Sequence, residues 1–118
     1  MSDTPATLNI SVPATMDLLL SRRSGSAKAM KGPGPDAGQL NRILTAGIRV
    51  PDHGKLAPWR FIVFEGEGRA RMGAVLAEVI AGERDTSPER IEQERGRFLR
   101  APVIIGVVSR LREQIAIP

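Results

Sequence analysis

Arg22-Arg23-Ser24 stands where a leucine-rich stretch gives way to glycine and serine. Guanidinium forks match phosphate oxygens bidentately, and a hydroxyl beside them adds a further donor, so the trio suits a phosphate dianion. A solvated basic helix end or a kinase recognition site would use the same residues. The second candidate is His53, in a loop between a helix end and a strand start, where ligand-binding side chains concentrate. Its plain alternative is a loop residue with no special role. Asp52 beside it does not make a catalytic pair, because sequence neighbours rarely aim their side chains at one another.

Other arrangements fail on inspection. Gly66-Glu67-Gly68 resembles the opening of a dinucleotide-binding turn, but Arg71 stands where the third glycine belongs and Glu67 would face the phosphates. Gly54-Lys55 is followed by Leu56, and Arg49 takes the place of a P-loop's first glycine. No serine lies in a nucleophile-elbow pattern; Ser24 and Ser26 lack the flanking glycines. With no cysteine and one histidine, thiolate chemistry and the common transition-metal sites are excluded. Neither a catalytic side chain nor a metal site is read.

Short elements must position these residues. Residues 1–14 read as a flexible extension. Thr15 is a fair N-cap for a helix through Met16, Leu18, Leu19 and Leu20 to about Arg22. A Gly/Pro/Ser/Lys loop runs from Ser24 to Pro35. Asp36 then caps a helix with Leu40, Ile43, Leu44 and Ile48 along one face, ended by Pro51. Asp52–Pro58 is a loop, and WRFIVFE over Trp59–Glu65 is a strand. The turn at residues 66–68 leads into a helix expected to bury Met72, Val75, Leu76, Val79 and Ile80. Ser87-Pro88 opens another, as a cap followed by proline at the first helical position. VIIGVVS, Val103–Ser109, is the apolar run expected of a central strand covered on both faces. Two strands are too few for such a sheet. No element follows before Ile115–Pro118 to complete the layer, so the expectation is a chain cut short.

Composition sets the outer limits. In 118 residues, 42% are hydrophobic and 25% charged, a globular balance that makes wholesale disorder an unsuitable reading. Aromatic residues are only 3%, which leaves the core to leucine, isoleucine and valine or to something supplied from outside, such as a cofactor or a partner. The net charge of +4 is within range for a small nucleic-acid-binding module. The charges from Glu83 to Arg100 alternate in sign, however, as on a solvated helix, so no nucleic-acid partner is assigned. No apolar run reaches the length of a membrane span, and Asp3 is the only charge before Asp17, unlike a cationic leader. The expected setting is cytoplasmic, away from membranes.

The three blocks LLLSRRSGSA, QLNRILTAGIRVPDHGKLAPWRFIVFEGEGR and FLRAPVIIGVVS, taken together and in this order, resemble the nitroreductase family of FMN-dependent oxidoreductases. The resemblance covers about residues 16–118 and is nearest to a small bacterial branch with PDH in the second block, in which NAD(P)H nitroreductases are found. It implies an α+β fold with a central sheet flanked by helices, of which residues 15–118 would be the N-terminal portion. It also implies a homodimer with FMN at the subunit interface and NAD(P)H as cosubstrate. By that resemblance Arg22, Arg23 and Ser24 bind FMN, and Arg49 and His53 contact it from the other subunit. Hydride would pass from NAD(P)H through the flavin to a nitroaromatic or similar acceptor. Many family members carry serine, asparagine and glutamine where this chain has Asp52, Lys55 and Ala57, which leaves the contacts of Lys55 open. An inactive fragment and a small basic nucleic-acid-binding module are the alternatives.

Overall fold

The computed structural model describes residues 10–111; most of the expected extension over 1–14, and the closing residues Ile115–Pro118, lie outside them. Helix α1 is Ala14–Ser21 and helix α2 is Ala37–Gly47; strand β1 is Trp59–Glu65. Helices α3 (Glu67–Ala81) and α4 (Pro88–Gly96) follow, and strand β2 is Val103–Ser109. The α+β expectation holds at this level.

Local chemistry explains most of the boundaries. Asp36 accepts the Gln39 amide at 2.8 Å while the Gln39 side chain accepts the Asp36 amide at 2.9 Å, a reciprocal cap on α2. The Ser87 hydroxyl oxygen accepts the Arg90 amide at 3.2 Å, with Pro88 in the first turn of α4, as the sequence reading expects. The start of α1 differs from expectation. Pro13 already has helical angles (φ −55°, ψ −36°), and its ring sets that φ in advance, so the helix opens there and not at a Thr15 cap. Helix α2 also stops earlier than Pro51. Its C-cap is Ile48, and the Arg49 amide closes a tighter turn onto the Ala46 carbonyl oxygen at 3.1 Å.

Strands β1 and β2 pair antiparallel from Trp59 opposite Ser109 to Glu65 opposite Val103. Side chains alternate between the two faces of a strand, so Phe61 and Phe64 point to opposite sides. A Cβ at Gly47 would sit 3.4 Å from the Phe61 ring, which places the end of α2 on that face. On the other face Phe64 meets Phe98 edge to face, with centroids 5.1 Å apart, and α3 packs against β1 with α4 against α3. The Arg69 guanidinium ties the start of α3 to the approach to β2, donating to the Ala101 carbonyl oxygen at 2.7 Å.

Two expectations about burial are corrected. Helix α3 buries Gly73 and Ala77, while Val75 and Val79 stay exposed. The reason is distance: a Cβ at Gly73 would overlap the Arg95 carbonyl oxygen, so α4 approaches where side chains are smallest. Strand β2 is not covered on both faces, since Val107 is 68% exposed; among the described residues its only strand partner is β1. Among the described residues, Ala77 and Ala101 are the sole buried hydrophobic residues. The Cα radius of gyration is 18.7 Å, against about 13 Å for a compact chain of similar length. The molecule therefore presents a large apolar surface to its surroundings.

Candidate functional site

The first cluster of candidate residues sits at the end of α1. Arg22 leaves the helix in extended conformation (φ −64°, ψ 148°), its amide still bonded to the Leu18 carbonyl oxygen at 2.9 Å. Arg22, Arg23 and Ser24 are all exposed. Among the described residues none of their side chains enters a hydrogen bond or an ion pair, so two guanidinium forks and a hydroxyl remain available in consecutive positions. Met16, Leu18, Leu19 and Leu20 on the same helix are exposed as well.

The second cluster lies between α2 and β1. Arg49 is exposed just after the α2 cap, and His53 opens a single 3₁₀ turn over His53–Lys55. The His53 side chain falls outside the described part of the structure. The loop is shaped by Asp52, whose carboxylate accepts the Leu56 amide at 3.2 Å and the Ala57 amide at 2.8 Å. Gly54, Lys55 and Ala57 all have left-handed backbone, with φ of 73°, 51° and 44°. For a non-glycine residue that region costs about 1–2 kcal/mol. The Arg110 amide donates to the Pro58 carbonyl oxygen at 2.8 Å, so β2 reaches the exit of this loop.

Among the described residues, no hydrogen bond or ion pair joins the first cluster to the second. Helix α1 packs extensively against no other element. An apolar cleft of about 380 Å³ lies elsewhere, walled by Met30, Pro33, Leu40, Ile43, Val103 and Ile105. It contains none of the five candidate residues. Asp52 and Arg110 are the residues that sequence reasoning missed as parts of the loop's architecture. A Pro-Asp pair ahead of a glycine is a turn signal and could have drawn attention to Asp52. Arg110 carries no local signal, because only strand pairing brings it to Pro58. No cluster of three or more potential metal ligands occurs among the described residues, and none of their helices is long and apolar enough to cross a membrane.

A family model described as "Nitroreductase family" matches residues 19–116, spanning both clusters and both strands. The chain belongs to the nitroreductase family. It is 44% identical over 105 residues to "Putative NAD(P)H nitroreductase YdjA" of Escherichia coli K12, a match covering 87% of this chain and 55% of that protein. It is 39% identical over 101 residues to "Putative NAD(P)H nitroreductase" of Haemophilus influenzae, covering 86% of this chain and 53% of that protein. The chain thus spans about half the length of these nitroreductase relatives.

Proposed function

We propose that this chain contributes an FMN-binding half-site to an NAD(P)H-dependent oxidoreductase acting on nitroaromatic or similar acceptors in the cytoplasm. The observation that carries the reading is the uncommitted Arg22-Arg23-Ser24 trio at the exposed end of α1, within a chain of this family. These donors fit the group. Two guanidinium forks match a terminal phosphate dianion, and the Ser24 hydroxyl suits a phosphate or ribityl oxygen. Bound FMN would supply the centre that takes a hydride from NAD(P)H and delivers it to the acceptor. The protein's part is placement and charge, so no side chain need act as a nucleophile.

The companion proposal is a homodimer in which Arg49 and His53 of one copy meet the flavin held by Arg22, Arg23 and Ser24 of the other. Support comes from the lack, among the described residues, of any hydrogen bond or ion pair between the two clusters of one chain, and from the apolar surface of α1 beside the first. Leu20 is 79% exposed, and leucines on one short helix are a poor match for water. Cationic side chains near the flavin's pyrimidine edge would raise its electron affinity.

The test is a visible absorption spectrum of the purified chain after incubation with FMN and removal of free flavin. A retained flavin band that disappears in the Arg22→Ala/Arg23→Ala double variant is the expected result. A colourless wild-type chain with native circular dichroism would defeat the reading for this chain.

A further inference from the structure

The loop from Pro51 to Pro58 is organised by one carboxylate. Both oxygens of Asp52 are engaged, Oδ1 by the Leu56 amide at 3.2 Å and Oδ2 by the Ala57 amide at 2.8 Å. The Lys55 amide closes the same ring from within, donating to the Asp52 carbonyl oxygen at 3.2 Å. Gly54, Lys55 and Ala57 are held left-handed inside it. A backbone of this kind persists only where its surroundings over-determine it, and such places cluster at ligand-binding loops. Two charge-assisted bonds from a single side chain supply that determination. The Lys55 side chain, on the left-handed turn itself, is exposed and makes no hydrogen bond or ion pair among the described residues.

We infer that Asp52 is the positioning residue of the ligand-binding loop: its carboxylate holds the left-handed turn that carries His53 and presents the Lys55 ammonium to the anionic ligand. The assignment rests on the FMN reading above. Asp52 itself touches no ligand, because its oxygens face the loop's own amides. Its negative charge is thereby turned toward the loop's own amides, although it lies between Arg49 and Lys55 in sequence. Removing the carboxylate frees the left-handed residues to relax and takes Lys55 out of register.

The experiment compares wild type, Asp52→Ala and Asp52→Asn by two measurements. The first is NMR amide exchange at Leu56 and Ala57, without ligand. Both amides are expected to be protected in wild type and to exchange freely in Asp52→Ala. Asp52→Asn should protect only one, because the amide side chain keeps a single acceptor oxygen. The second is FMN affinity by fluorescence quenching, expected to weaken about tenfold in Asp52→Ala and less in Asp52→Asn, as loss of a positioned geometry does. If Asp52→Ala does not fold, Asp52→Asn carries both measurements.

Unchanged exchange at both amides overturns the proposal outright. Wild-type and variant proteins that bind FMN equally well overturn it while leaving the FMN reading intact. A wild type that binds no FMN overturns the FMN reading and the ligand role of Asp52 together.

Discussion

The Arg110 amide donates to the Pro58 carbonyl oxygen at 2.8 Å, one step beyond the Trp59–Ser109 pair that ends the β1–β2 ladder. That bond moors the loop carrying His53 and Lys55 to the far end of a strand that begins 45 residues after it, at Val103 counted from Pro58. The entrance of the loop is set by Asp52 and its exit by β2. Loop geometry therefore depends on correct strand register, since a slip of one residue would replace Arg110 and turn every β2 side chain to the other face.

Gly73 marks the closest approach of α3 and α4. Gly73→Ala should destabilise the chain by about 1–3 kcal/mol, as overpacking does in a tight contact. Gly96→Ala, where a Cβ meets nothing within 4 Å, is the matched control and should change little. Urea denaturation of the two variants checks the pair. Equal midpoints would mean that α3 and α4 do not approach as closely as described.

Arg69 fastens α3 to the approach to β2 through the carbonyl oxygens of Ala101 and Gly66. Ala101 is one of the two buried hydrophobic residues among those described, so its carbonyl oxygen has little access to water. Arg69→Leu should cost about 1–3 kcal/mol by leaving that acceptor unsatisfied. Arg69→Lys should recover part of the loss. Thermal unfolding of both variants measures it, and a neutral Arg69→Leu would count against the bond.

Glu94 and Arg97 pair bidentately at the end of α4, and that hydrogen bond, helped by the nearby arginine charges, lowers the Glu94 carboxyl below its ordinary value. A carboxyl with a depressed folded pKa contributes stability that is present above its unfolded pKa and lost as pH falls through the folded one. Glu94→Gln should therefore be less stable than wild type at neutral pH. The gap should narrow as pH drops below the usual glutamate range of about 4.3. Melting temperatures across an acid titration test this, and a gap independent of pH would exclude the ion pair as its source.

The exposed leucines of α1 predict an association that polar substitution weakens. Leu19→Lys/Leu20→Lys should shift sedimentation toward the monomer and lower FMN retention, without loss of helical circular dichroism. An unaltered sedimentation profile would remove α1 as an association surface.

Much of the element structure was legible locally. The reciprocal cap at Asp36 and Gln39, the Ser87-Pro88 start of α4 and the bounds of both strands depend on residues within a few positions of one another. The Arg22-Arg23-Ser24 trio is equally local, since its availability follows from an extended break after a short helix. The ends of α1 and α2 shifted by a few residues for local reasons, at Pro13 and Ile48, whereas the burial expectations failed where distant parts of the chain meet. Periodicity alone favours Val75 and Val79 as the buried face of α3. The backbone of α4 at Arg95 selects Gly73 and Ala77 instead, because close approach rewards small residues over apolar ones.

The sequence by itself determined the order of helices and strands, the bounds of both strands, the start of α4 and the family to which the three blocks point. Tertiary structure decided which surfaces are covered, that Arg110 reaches Pro58, and that Asp52 closes the left-handed turn around Lys55. The division has a physical cause. Caps, turns and periodic faces are set by interactions over a few residues, whereas strand pairing and helix approach join residues tens of positions apart, and local propensities do not encode which partner arrives.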